Sequence, residues 1–396
     1  MHDDTVYLDH ASTSWPKHPA AAEALARAFD AKIGTPGRGS HRFAAEARKI
    51  LEHARSTIAA LVGADHPDRV VLTSGATDAL NLAIFGTLAH RSDQPHVVAS
   101  ILEHNAVAAP LVALERADKI RLTRVTCNEH GYVEPPMFLD AIEPTTAIVA
   151  LTAVSNVLGT AQPLDLIGPA IRARAPDALF LVDAAQAVGV ISIDVNAWCA
   201  DLLAFSGHKA LRGPTGTGAL YISKRAFDSA ADSQSLRPTR FGGTGGATPS
   251  PTLPDDAPPR FEPGTANTHG FAGLSAAIEH AHQNAAAERE LLDRFINRFD
   301  ADDRVRFLAS PTPAEPSRVG VLSFNIAGLD PHAAAATLDS SFGIAARAGL
   351  HCSPWTHERF GTLESGGAVR VSVGATSTPE HIERLADAVE AIIVAG

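Results

Sequence analysis

Seven short and almost wholly apolar runs recur through the first two thirds of this chain, separated by Ala-rich or turn-forming stretches. They are RVVLTS (69–74), HVVASILE (96–103), IRLTRV (120–125), AIVALTAVS (147–155), LFLVDAA (179–185), LLAFS (202–206) and GALYIS (218–223). A strand with one wet face alternates apolar and polar residues, whereas a run that stays apolar is covered on both faces. Amphipathic stretches at 76–91, 105–117 and 164–175 have the helical spacing to supply that cover. The pattern predicts an α/β fold, a mainly parallel central sheet sandwiched by helices. Ligands of such sheets sit beyond the carboxyl ends of the strands, so the residues that end each run carry the chemical interest.

The pattern stops at residues 242–264, whose Gly and Pro predict neither a helix nor a central strand. One long helix is expected at about 270–299, then the short strands VGVLSFNI and AVRVSVG and a closing helix near 379–394. These predict a large domain over 17–275 and a smaller α+β domain built from 1–16 and 276–396. A formal net charge of −11 argues against nucleic acid or an anionic membrane as partner. Cys127, Cys199 and Cys352 are odd in number and form no CxxC pair, which fits a reducing compartment and excludes a disulfide scaffold. The start MHDDTVYLDH lacks the basic-then-apolar pattern of a secretory leader, and no apolar run reaches membrane-span length. The expectation is a cytoplasmic protein.

Two strand ends carry charge. LVDAAQAVG ends its apolar run at Asp183, with Gln186 three residues on. AFSGHKALRG places Ser206, His208 and Lys209 directly after the next run. A carboxylate there is costly to bury unless paired. A lysine there loses basicity and frees its amine for a Schiff base. An amine for an aldehyde and a carboxylate for a protonated ring nitrogen are what pyridoxal phosphate (PLP) requires.

Other strand ends add candidates. TSGATDALNLA (73–83) turns through Ser74–Gly75 into a helix, so the amides of Ala76 and Thr77 and the Thr77 hydroxyl are placed to meet a phosphate. No GxxxxGK[ST] loop is present, which disfavours a nucleoside triphosphate. His104 in SILEHNAVAAP is either a helix cap or a ring that stacks on a flat cofactor and moves protons. Asn156 in TAVSNVLGT is either a turn residue or an amide for a phenolic oxygen or substrate carboxylate. Cys127 and Cys199 read as inert small hydrophobes. Cys352 in GLHCSPW, between a short β-like segment and a Pro-containing loop, reads as an accessible thiol able to ionise. His351, Cys352 and His357 do not fit zinc spacings, and no metal is expected. Arg370, inside the apolar AVRVSVG, calls for an anionic partner such as a substrate carboxylate.

Taken in order, YLDHAST, TSGATDALNLA, LEHNAV, SNVLGT, VDAAQAVG, SGHKALRGPTGTGALY, FEPGTANT, GLHCSP and AVRVSVG resemble the class V aminotransferase group of fold-type I PLP enzymes, specifically the cysteine desulfurases. The resemblance implies that Lys209 holds the cofactor and moves the substrate Cα proton. It implies that Asp183 pairs with the ring nitrogen, Gln186 with the phenolic oxygen, and that His104 stacks on the ring as acid or base. Thr77, Ser206 and His208 would hold the phosphate, with Thr265 reaching it from the other subunit of a homodimer. Asn156 and Arg370 would bind the carboxylate of L-cysteine or a related small amino acid. Cys352 would take the sulfur as a persulfide, leaving alanine, before hand-off to an acceptor protein. Sister activities are the alternatives: a selenocysteine or cystine lyase, an aminotransferase or epimerase, or a non-catalytic scaffold. His10 departs from the small or amide residue usual after YLD.

Overall fold

The computed structural model describes residues 5–37, 39–227, 235–245, 251–281, 283, 285–309 and 318–395. In chain order the strands are β1 (Val6–Tyr7), β2 (Val70–Thr73), β3 (His96–Ser100), β4 (Arg121–Val125), β5 (Thr146–Thr152), β6 (Leu179–Asp183), β7 (Leu202–Ser206) and β8 (Gly218–Ile222). There follow β9 (Val305–Phe307), β10 (Val321–Ile326), β11 (Ile344–Ala345), β12 (Arg347–Gly349) and β13 (Ala368–Ser372). The helices are α1 (Pro19–Asp30), α2 (Arg42–Val62), α3 (Ala76–Leu88), α4 (Asn105–Arg116), α5 (Pro135–Ala141) and α6 (Leu164–Arg174). They continue as α7 (Lys224–Phe227), α8 (Thr268–Glu279), α9 (Ala285–Phe299), α10 (Pro331–Phe342), α11 (Pro354–Arg359) and α12 (Pro379–Ala395).

The seven predicted runs form one seven-stranded sheet in the order β2-β8-β7-β6-β5-β3-β4. β8 is antiparallel to both neighbours and the β7-β6-β5-β3-β4 pairings are all parallel. Period-two alternation divides the side chains between two cores. Val70, Leu72, Val149, Leu151, Phe180, Val182, Leu203 and Phe205 pack on one face with residues of α2, α5 and α6. Val71, Ile148, Ala150, Leu179, Leu181, Leu202 and Ala204 pack on the other with residues of α3 and α4. Both faces are dry, which is why the runs carry so few polar residues.

Strand ends fall short of the apolar runs where the chain turns to form the site. HVVASILE is a strand only to Ser100 and AIVALTAVS only to Thr152. The long helix expected at 270–299 is two helices, α8 and α9, because the chain leaves helical geometry after His280. Within 242–264, the described residues hold only a 3₁₀ turn at Pro259–Phe261, and residues 246–250 lie outside the described set.

β12, β13, β10 and β9 make a separate four-stranded antiparallel sheet. It is packed by Leu292, Phe295 and Phe299 of α9 and by Leu385 and Val389 of α12. β1 pairs in parallel with β11, and Asp9 bridges to Ser372, so the start of the chain is woven into this part. The Pro-containing loop expected after Cys352 is α11, with Pro354 at its first position, where a missing N–H costs nothing. No helix among the described residues is long and apolar enough to cross a membrane.

Candidate active site

The carboxyl ends of β5, β6 and β7 lie side by side, with Thr152 opposite Asp183 and Asp183 opposite Ala204. They open into a cavity of about 180 Å³, bordered also by α3, α4, the segment after β1, and β12 and β13. Lys209 reaches it from three residues beyond β7. Burial pushes the Lys209 amine down to about 8; Arg370 and Arg347 push the same way, while Asp183 and Cys352 oppose. Asp183 is 4% exposed, and its Oδ1 accepts from the Ala185 amide at 2.9 Å. The two charged strand ends read from sequence therefore meet in one space.

His104 is the helix cap of α4, and its ring also borders the cavity. Its Nδ1 accepts from the Ala106 amide at 3.0 Å. An Nδ1 that accepts puts the proton of the neutral ring on Nε2. Burial holds the ring below the ordinary histidine range, Lys209, Arg347 and Arg370 adding to this and Asp183 opposing it. Gln186 lines the cavity with its Nε2 donating to the Ala11 carbonyl at 2.9 Å.

At the opposite end α3 begins at Gly75, whose φ of +149° suits glycine alone. A Cβ on Gly218 would lie 2.6 Å from the Gly75 Cα, so β8 can pass this turn only as glycine. The Ala76 amide donates to the Ser206 hydroxyl at 2.8 Å, so that donor, expected to meet an anion, is already engaged. Thr77 and His208 line the same end, and burial lowers His208 to about 4. Thr265 does not join them. It is exposed and lines a separate surface cleft with Ser74, Gly216 and Asn267.

Arg370, 1% exposed, comes from β13. Its Nη2 donates to Asp9 Oδ1 at 2.7 Å and Ser12 Oγ at 2.8 Å, and its Nη1 to the Asn156 carbonyl at 3.1 Å. Its Nε has no partner among the described residues. Arg347 of β12 stands directly opposite Arg370 in the ladder. It donates to Ser12 Oγ at 3.0 Å and to Cys352 Sγ at 3.6 Å, and has no carboxylate partner among the described residues. Like charges paired across a sheet repel, so this pair is suited to an anion between or beside them. Sequence reasoning missed Arg347, Asp9 and Ser12. The register that sets Arg347 against Arg370 joins residues 23 apart through a helix, and no local pattern marks it.

Cys352 is partly exposed and Cys127 is buried with its thiol raised to about 11, inert as expected. Asn156, 6% exposed, lines the cavity, but both ends of its amide contact the Cys352 turn. No metal-binding group of three or more His, Cys, Asp or Glu is found among the described residues. The donor set fits PLP: a buried amine of lowered basicity, a buried carboxylate at the strand ends, a helix N-terminus for a phosphate and two arginines for a carboxylate.

Residues 6–385 match the family described as Aminotransferase class-V. The chain belongs to the class-V aminotransferase family. It is 34% identical over 397 residues to a probable cysteine desulfurase of Methanothermobacter thermautotrophicus, covering 98% of this chain and 95% of that protein. A probable cysteine desulfurase of Pseudomonas putida is also 34% identical, covering 97% and 92%. Among solved structures, the apo cysteine desulfurase from Thermococcus onnurineus NA1 superposes with a TM-score of 0.87 at 28% identity, covering 99% of this chain and 95% of that one. The S-sulfonic acid form of the cysteine desulfurase CsdA from Escherichia coli gives 0.83 at 25%, covering 100% and 96%. The fold of this class-V chain is thus shared along its whole length with cysteine desulfurases.

Proposed function

We propose that this chain is a PLP-dependent cysteine desulfurase, acting on L-cysteine or a closely related small amino acid. The observation that carries the reading is Cys352 Sγ held 3.6 Å from Arg347, which itself lines the cavity shared by Lys209 and Asp183. A transaminase needs no thiol there. When bound, PLP supplies an electron sink that makes the substrate Cα proton removable.

The chain's own residues do the rest. Lys209 Nζ is the amine that would hold the cofactor aldehyde. Its lowered basicity leaves a fraction of the amine free near neutral pH to take the Cα proton. Asp183 would hold the ring nitrogen protonated, Gln186 would meet the phenolic oxygen, and His104 would cover the ring with Nε2–H as donor. Ala76, Thr77, Ser206 and His208 form the phosphate end. Arg370, with its free Nε, receives the substrate carboxylate, and Asp9 keeps the guanidinium aligned.

Cys352 as thiolate attacks the substrate Sγ. An S–S bond forms, the substrate Cβ–Sγ bond breaks, and its electron pair goes to Cβ. Cβ then takes up a proton and Cα regains the one taken by Lys209, giving alanine and a Cys352 persulfide. The atoms balance with no outside oxidant. We further propose a homodimer in which Thr265 completes the phosphate end of the other subunit, a division into domains at 17–275 and 1–16 with 276–396, and an acceptor protein for the sulfur.

The test is product analysis on the purified, PLP-loaded protein. L-cysteine with a thiol reductant should yield alanine and sulfide in equal amounts, and Lys209→Ala should yield neither. Pyruvate in place of alanine, from L-cysteine or cystine, would assign a lyase instead.

A further inference from the structure

Cys352 stands in a backbone conformation that residues with a Cβ avoid. His351 and Cys352 have φ of +50° and +58°, two successive left-handed residues, neither of them glycine. Such a turn persists only when its surroundings over-determine it. The bonds that do so converge on one side chain. Asn156 Nδ2 donates to the His351 carbonyl at 2.7 Å, and Asn156 Oδ1 accepts from Ser353 Oγ at 2.8 Å. One amide thus grips the residue before Cys352 and the residue after it.

The grip is anchored from behind. The Asn156 carbonyl accepts from Arg370 Nη1 at 3.1 Å, and the next carbonyl, of Val157, accepts from Ser323 Oγ at 2.6 Å. Ser353 is fully buried, so water cannot replace the contact on that side. The Asn105 amide, first in α4, donates to the Cys352 carbonyl at 2.6 Å, and the Ser353 amide donates to the Leu350 carbonyl at 2.9 Å.

We propose that Asn156 is a positioning residue for Cys352, bracing the left-handed turn so that Sγ is held against Arg347, which lines the cavity. Its task needs an amide. A carboxylate accepts from Ser353 but repels the His351 carbonyl, and an alkyl group does neither. Asn156 acts chiefly through the turn. The catalytic consequence rests on Cys352 being the sulfur acceptor, but the brace belongs to the chain before any cofactor binds.

The experiment is therefore run first on the cofactor-free protein. Amide hydrogen exchange is followed in a peptide spanning 350–353 for the wild type, Asn156→Asp, Asn156→Ala and Ser353→Ala. Loss of one buried hydrogen bond should speed exchange about tenfold in Asn156→Asp and Ser353→Ala, and more in Asn156→Ala, which loses both. On the Ser353→Ala background, Asn156→Ala should add only the loss of the remaining His351 bond, less than its effect alone. In the loaded enzyme, Ser353→Ala, which touches no substrate, should lower kcat several-fold with KM little changed. Unchanged exchange at 350–353 together with a raised KM in the Asn156 variants would overturn the proposal and leave Asn156 a substrate contact only. A wild type that makes no alanine would refute the desulfurase reading while the exchange result still decides the brace.

Discussion

Glu103 is fully buried one residue before His104, and it was not legible as special in the sequence. Its Oε1 accepts from Ser100 Oγ at 2.5 Å and from the Thr152 amide at 2.8 Å, and its Oε2 has no partner among the described residues. Burial raises this carboxyl to about 8, the two hydrogen bonds opposing and Asp183 adding. The folded chain then binds a proton between the ordinary carboxyl range and about pH 8 that the unfolded chain has released. The native state holds more protons in that window, so stability falls as pH rises through it. Glu103→Gln should match the wild type at pH 5 and become progressively more stable than it toward pH 8, read from denaturant midpoints. Equal pH dependence in the two proteins would contradict this. Lys209 gives the opposite sign. The unfolded lysine keeps its proton up to about 10.5 and the folded one only to about 8, so stability contributed by this group rises with pH across that window. In cofactor-free protein, Lys209→Met should be more stable than wild type at pH 7, with the advantage shrinking toward pH 10. Asp183, Lys209 and Cys352 were legible because a charge or thiol at the end of an apolar run conflicts with its surroundings. Glu103 conflicts as strongly and closes the run read as HVVASILE, but beside His104 it did not stand out, and its burial follows from the strand ending early at Ser100.

At the level of elements, the helices placed on the sheet have fixed distances from it. Gly168 in α6 shows how tight the limit is. A Cβ there would fall 1.8 Å from the Trp198 carbonyl oxygen and 3.2 Å from Phe180 Cε1. Gly168→Ala should destabilise the fold by about 3 kcal/mol, against the small gain in helix propensity that alanine otherwise brings. A urea midpoint equal to wild type would refute the contact. The strands of the large sheet were readable because both faces are dry, and β7 matches its predicted run residue for residue. The break between α8 and α9 was not, since both helices keep amphipathic Ala-rich spacing up to it. The four-stranded sheet was only half readable. β10 and β13 are apolar runs, whereas β9 (Val305–Phe307) and β12 (Arg347–Gly349) have three residues each, too short for any period, and their pairing is set by tertiary contact.

At the level of the whole molecule, part of the site in the proposed homodimer would come from outside the single chain. Thr265 is exposed on a cleft separate from the main cavity, and nearby Phe241 is 79% exposed in a groove with Phe85, Leu82 and Arg240. The proposed homodimer would cover such apolar surface. In the proposed homodimer, sedimentation should give one species of twice the chain mass at micromolar concentration. Thr265→Ala should weaken PLP binding about tenfold in equilibrium dialysis, the cost of one charge-assisted hydrogen bond. A monomer that binds PLP unaffected by that change would contradict the shared site.

The account depends most on where the substrate sulfur goes. Intact-mass measurement of the PLP-loaded protein after brief exposure to L-cysteine without reductant should show one added sulfur atom per chain, mapped by peptide analysis to Cys352. The added mass should vanish in Cys352→Ala, which should keep the colour of bound PLP and lose sulfide release. Sulfide and alanine produced by Cys352→Ala at the wild-type rate would contradict the persulfide mechanism.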